Sequence, residues 1–185
     1  MRFIPLGYYA FSAFLNFITC VFLALFVFLK NRYSNLNRVF SAFCFAIAQW
    51  SFFYFLWLST KNIHLADFYL RTCMIGVICM PATFTHFILI LTRTTPKKIL
   101  LISNYLITLG IVFTVYSPLY AIKGGSFSIF PYWSLPGKLF PIHLVHFFIN
   151  LVYSYFLISK ALKHSEGLLE HRFVMLFWGQ LLVLW

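Results

Sequence analysis

Charge is what this sequence has least of. Only 9% of its 185 residues are charged, and just three are acidic: Asp67, Glu166 and Glu170. A soluble domain carries about a quarter charged residues to keep its surface wet, so a water-facing fold is excluded. No acid falls inside an apolar run, which removes the group that proton-coupled transporters and intramembrane proteases usually need. Cysteine is sparse as well. Cys20, Cys44, Cys73 and Cys79 all sit in apolar runs, without C-x-x-C pairing or metal-ligand spacing, and read as small core residues. There is no H-E-x-x-H, G-x-S-x-G, Walker or kinase motif. His143-x-x-His146 shares one helical face but has no third ligand. No catalytic residue, metal or cofactor is expected.

What is present is hydrophobic: 62% of the chain, with 25 Phe and a mean hydropathy of +0.89. A surface built from such residues must face lipid. A helix needs about 20 apolar residues to cross about 30 Å of hydrocarbon. Five runs qualify, at 8–29, 39–58, 72–91, 99–122 and 139–159. A sixth, 173–185, has 13 residues and is too short. The expected fold is all-α: a polytopic transmembrane helix bundle with five full spans and a truncated sixth, a fragment of something longer. The first run is too long, and lacks the small-residue cleavage site, for a signal peptide.

The net charge of +11 would suggest nucleic acid in a polar domain. Here there is no polar domain, and the basic residues instead mark the loops. One set of loops holds Lys30, Arg32, Arg38, Arg93, Lys97, Lys98, Lys160, Lys163 and Arg172. The other holds Arg2, Lys61, Arg71, Lys123 and Lys138, so the split is nine to five. The positive-inside rule then puts the N-terminus outside. Loop 123–138, KGGSFSIFPYWSLPGK, carries Gly, Pro and aromatic residues. It reads as a short hairpin or interfacial loop. His164, His171, Glu166 and Glu170 read as ordinary cytoplasmic-loop polarity.

Polar positions within a span mark helix contacts or a cavity, and here their spacing is helical. The stripes are Ser12, Asn16, Thr19; Asn37, Ser41, Cys44, Ala48, Ser51; Thr72, Gly76, Cys79, Thr83, His86; Gly110, Thr114, Ser117; and His143, His146, Asn150, Tyr153. The small residues fit simple helix packing. For the histidines, an interhelical hydrogen bond competes with ligand contact. The larger groups, Asn16, Arg71, Thr72, His143, His146 and Asn150, are candidates for a ligand cavity open to the outside. Asp67 and Arg71, four apart with the acid first, are placed to pair. Pro81 is expected to bend the third span, as a hinge or as a static kink.

The stretch from Asn37 to Arg93 resembles the N-terminal seven-transmembrane sensor region of bacterial membrane histidine kinases. In that family an Asn opens the second helix, followed by a Phe and a mid-helix Trp, here Asn37, Phe40 and Trp50. The third helix carries a Gly, then a Pro, then a Phe-rich end and a basic loop, here Gly76, Pro81, Phe84, Phe87 and Arg93. A loop ending in Gly137 before a fifth helix with Tyr153 and Tyr155 matches too. The resemblance implies a seven-helix two-component signalling receptor in the bacterial inner membrane, one that binds a small-molecule or lipid-like ligand or senses the membrane itself. It also implies a cytoplasmic output, a histidine kinase or sometimes a diguanylate cyclase, and dimerisation through that missing output domain. The rival reading is a small-molecule transporter, which predicts an internal repeat; none is evident.

Overall fold

The computed structural model describes residues 6–95, 98–127 and 130–163. The order is α1 (Leu6–Lys30), α2 (Asn35–Ser59), α3 (Ile63–Leu91), α4 (Lys98–Thr114), β1 (Ala121–Phe127), β2 (Phe130–Pro136) and α5 (Phe140–Lys163). Four helices, α1, α2, α3 and α5, are long and apolar enough to cross a membrane. The sixth apolar run and the loop residues His164, Glu166, Glu170 and His171 lie outside the described residues.

Two boundaries differ from the sequence expectation. The third helix begins at Ile63 rather than Thr72 because Asn62 caps it, its side chain accepting from the backbone N–H of His64 (2.9 Å) and Leu65 (3.3 Å). Asp67 and Arg71 ended the apolar run in the sequence, yet they lie on the helix as a neutralised pair. The fourth expected span, 99–122, is corrected: helix α4 stops at Thr114. Beyond it come tight turns (Val115 N–H to Val112 O, Ser117 N–H to Thr114 O, Tyr120 N–H to Ser117 O) around Pro118, which lacks the donor needed to continue a helix. At 17 residues and about 1.5 Å per residue, α4 is at the short end of the range that crosses the hydrocarbon.

Loop 123–138 forms the expected hairpin. Antiparallel pairs run from Ala121–Pro136 to Phe127–Phe130, with register irregularities on either side of Gly125. The hairpin docks by its aromatics: Trp57 meets Phe130 at 5.2 Å and Trp133 at 5.6 Å between ring centroids. Buried Tyr132 joins Trp57, Ala66 and Leu70 in the same cluster.

Helix α3 is the central element, touching α2, α4, α5 and β2. Helix α2 lies between α3 and the peripheral α1. The α2 stripe read from the sequence is its contact face toward α1: Ser41 donates to Ala24 O (2.9 Å) and Asn37 Nδ2 to Val27 O (3.0 Å). Of the α1 stripe, only Asn16 faces that seam. Ser12 and Thr19 are exposed and bond their own helix at Tyr9 O and Leu15 O. The buried line on α1 is instead Ala10, Ala13, Cys20 and Ala24. Likewise Gly110 is exposed, and α4 turns Thr108 and Ile111 inward. On α5 the buried line runs His143, His146, Asn150, Ser154 and Leu157, so Ser154 replaces the exposed Tyr153. Exposed Phe22, Phe113, Ile149 and Phe156 leave an apolar exterior suited to lipid.

Candidate functional site

The six polar residues singled out from the sequence go to different places. Asn16 belongs to the α1–α2 seam, where its Nδ2 donates to Ser51 Oγ (2.7 Å) and its Oδ1 accepts from Cys20 Sγ (3.6 Å). Arg71 and Thr72 lie at the hairpin end of α3. Arg71 Nε donates to both carboxylate oxygens of Asp67 at 3.0 Å. Its Nη1 reaches Val115 O (3.1 Å) and Ser117 O (3.4 Å), and Nη2 reaches Ala121 O (2.8 Å). Four backbone or carboxylate groups thus hold a guanidinium that is 7% exposed. Arg71 ties the α4–β1 turn to α3. Asp67 in turn accepts from Tyr132 Oη (2.6 Å), tying the hairpin to the same point. Thr72 Oγ1 donates to Phe68 O and meets Tyr116 Oη, both at 2.7 Å.

Burial pushes the Tyr132 phenol up, and the Asp67 carboxylate beside it adds to that rise. Burial raises the Tyr120 phenol too. Both side chains belong to the segment between α4 and α5 and are neutral at ordinary pH. Arg71 also lines a cavity of ≈ 310 Å³ under the second strand, with Leu70, Met74, Trp133, Leu135 and Phe140 among its walls.

His143, His146 and Asn150 share the inner face of α5. His143 Nδ1 pairs with Tyr120 Oη at 2.8 Å. His146 and Asn150 enter a network across three helices. Asn104 Nδ2 donates to Asn150 Oδ1 (2.9 Å), and Asn150 Nδ2 donates to Asn104 Oδ1 (3.1 Å) and to His146 O (3.0 Å). His146 Nε2 lies 2.8 Å from Asn104 Oδ1 and 3.5 Å from Thr108 Oγ1. Thr85 of α3 closes the network, donating to Asn150 O (3.2 Å) and pairing with Ser154 Oγ (2.9 Å). No Asp, Glu, Lys or Arg enters the network. It borders a cavity of ≈ 270 Å³ between α3, α4 and α5. Asn104 and Thr85 are each six residues from a helix end on the side of the basic loops, or about 9 Å at 1.5 Å per residue. The network therefore extends into the middle of the bundle rather than collecting at the hairpin end.

Sequence reasoning missed Asn104, Thr108, Thr85, Ser154 and Tyr120. Asn104 and Thr108 are four apart, with Ile111 and Val115 continuing their face; the Gly110–Thr114 stripe drew attention to the opposite side. Thr85 stood one position off the Thr72–His86 stripe.

The family-motif residues are structural. Phe40 packs on Phe87 at 5.3 Å. Trp50 packs beside Cys20, Ile47 and Ala48, and its carbonyl accepts from Cys73 Sγ (3.5 Å). Helix α3 continues through buried Pro81. A Cβ on Gly137 would overlap Leu119 O, so that glycine permits two loop backbones to meet. Arg93 adopts φ 53° at the end of α3.

Among the described residues no group of three His, Cys, Asp or Glu is placed to hold a metal ion. Comparison with curated proteins and with solved structures returns no match. A family model described as the N-terminal 7TM region of histidine kinase matches residues 12–185. An apolar helical bundle matched along nearly its whole length in this way is an integral membrane sensor region, and the chain belongs to the family of N-terminal seven-transmembrane regions of histidine kinases.

Proposed function

We propose that this chain is the input module of a bacterial inner-membrane receptor, converting occupancy of the α3–α4–α5 interface into movement of α5 and so into the activity of a cytoplasmic output. The observation that carries the reading is the hydrogen-bond network of Asn104, His146, Asn150, Thr85 and Ser154. It lies where apolar packing is thin, since α4 buries only Thr108 and Ile111 within its helix. Hydrogen bonds between membrane helices contribute about 0.6 kcal/mol each on average. An interface held by a few of them supports two packings separated by a few kcal/mol, which a ligand can bias.

Helix α5 ends in Lys160 and Lys163, which favours its last turn on the cytoplasmic side. That orientation puts the N-terminus and the hairpin outside. The output is a histidine kinase that dimerises through its own domain. Of the six candidate residues, His146 and Asn150 contact the ligand. His143 couples them to the outer turn through Tyr120, while Arg71, Thr72 and Asn16 hold the surrounding frame.

The test uses the complete receptor carrying Asn104→Leu and Asn150→Leu. Losing interhelical bonds worth about 1–2 kcal/mol shifts a two-state balance by about fivefold or more. Resting autophosphorylation should move by that factor. Output at the wild-type level, in a variant that melts at the wild-type temperature, would reject the reading.

A further inference from the structure

We infer that the cavity beneath the hairpin is a site for a small uncharged aromatic molecule, of one or two fused rings, held between α3, β2 and the first turn of α5. This site is separate from the α3–α4–α5 interface and does not depend on the reading of that interface as sensory.

Three elements build the cavity. Leu70, Arg71 and Met74 come from α3, Trp133 and Leu135 from β2, and Phe140 from the start of α5, with Tyr120 beside them. Leu70, Arg71 and Tyr120 are buried, whereas Trp133 and Leu135 are exposed. The deep side therefore lies on α3 and the mouth on β2.

The ring-bearing walls are held in place by their own neighbours. Trp133 packs on Trp57 at 5.6 Å and on Phe130 at 5.5 Å. Phe140 meets Tyr120 edge to face at 5.6 Å. Tyr120 is fixed in turn by its hydrogen bond to His143. Walls ordered in advance lower the cost of binding.

The hydroxyl and guanidinium groups of the lining are committed elsewhere. Each of the three Arg71 nitrogens is already bonded, Nε to Asp67, Nη1 to Val115 O and Ser117 O, and Nη2 to Ala121 O. The Tyr120 hydroxyl is paired with His143 Nδ1. The Ser134 hydroxyl oxygen is inaccessible, so Ser134 does not present it to a guest. Apolar walls of this kind favour an apolar guest over water. An acid gains no free counter-charge, because Asp67 already meets Arg71 at 3.0 Å, and its desolvation goes uncompensated.

Size and wall chemistry narrow the class. The volume of ≈ 310 Å³ is at the lower end of the range for small-molecule sites. It is about twice that of an apolar cavity of about 150 Å³ that admits benzene, which leaves room for one or two fused rings. Tyr120, Trp133 and Phe140 can meet a guest ring edge to face or offset, and such pairs attract beyond the area they bury. A guanidinium attracts a ring as well. An aliphatic lipid tail makes neither contact, so the site favours an aromatic guest over the surrounding bilayer.

The complete protein in lipid nanodiscs is photolabelled with a diazirine-bearing naphthalene, and the labelled peptides are mapped. Unlabelled naphthalene, its saturated counterpart decahydronaphthalene and 2-naphthoate then compete at equal membrane concentration. Labelling of the segment 133–140 should saturate. Naphthalene should displace it about tenfold more effectively than decahydronaphthalene, the ratio expected from a few ring contacts, and 2-naphthoate should not displace it. Leu135→Trp fills the mouth from an exposed position and should remove the label, whereas Phe22→Trp, on the lipid-facing side of α1, should leave it. Labelling that rises with probe concentration without saturating, or that survives Leu135→Trp, overturns the inference. Equal displacement by decahydronaphthalene also overturns it, and shows a cavity that any hydrocarbon fills, lipid tails included.

Discussion

Gly76 and Arg93 are constrained by their backbones in opposite directions. Gly76 lies where α3 passes against α2. A Cβ there would overlap Gln49 Oε1 and come within 2.6 Å of Ala46 O and 2.9 Å of Trp50 Cβ. Two of those three atoms belong to backbone or its first side-chain carbon, so they cannot swing away. Gly76→Ala should destabilise the bundle by about 2–3 kcal/mol, the range for overpacking, read as a lower thermal midpoint in detergent. Arg93 terminates α3 in a Schellman turn. Its N–H donates to Ile90 O (3.1 Å) and the Thr94 N–H to Leu89 O (2.9 Å). That turn needs a left-handed residue, and a side chain there costs about 1–2 kcal/mol. Arg93→Gly should raise the midpoint by about 1 kcal/mol equivalent; a lowered midpoint would show that the arginine side chain outweighs the strain. Both positions stood out in the sequence as a pattern. Neither reason was visible there, because each depends on what approaches the backbone.

At the scale of elements, the hairpin and its anchor are a titratable unit. Tyr132 donates to Asp67, which holds Arg71, which holds the turn after α4. The Tyr132 and Tyr120 phenols are both raised above their usual value of 10.0. A raised folded-state value means that the folded protein favours the protonated phenol. The stabilisation is complete below pH about 10, where the unfolded phenols titrate, and is lost as pH climbs through the higher folded values. Docking of the hairpin should therefore weaken only in strong alkali, seen as a change in Trp57 and Trp133 fluorescence, and Tyr132→Phe should flatten that dependence. A wild-type midpoint that stays level across the alkaline range would count against it. The hairpin itself was legible from its Gly, Pro and aromatic content. The boundaries of α3 and α4 were not, because hydropathy reads Asp67 and Arg71 as separate charges when they are a part-buried ion pair, and reads 115–122 as apolar when Pro118 and the turns prevent a helix.

At the scale of the whole molecule, the nine-to-five division of basic residues predicts that the turn after α1 and the hairpin face opposite sides. With Cys79 replaced by serine, the remaining cysteines are buried, and single probes can be placed at exposed positions. Ser126→Cys in β1 should react with a membrane-impermeant maleimide applied to intact spheroplasts, and Arg32→Cys only after lysis. The reverse pattern would invert the orientation and place the last turn of α5 outside.

The sequence by itself determined that this chain lives in lipid, that it is helical, and which family it resembles. Those follow from composition, run length and spacing along one chain, and lipid penalises every exception. Tertiary structure alone decided which polar residues meet. Asn16, Arg71 and Asn150 are equally polar in the sequence, yet one bonds Ser51, one bonds backbone carbonyls, and one bonds Asn104 beside a cavity. The physical reason is that helical periodicity fixes which residues share a face, whereas the partner of a face depends on how separate helices rotate and approach. Asn16, Arg71 and Thr72 thus bond neighbouring backbone and side chains at separate places, while His146 holds a ring nitrogen with no partner among the described residues, which no reading of spacing would have exposed.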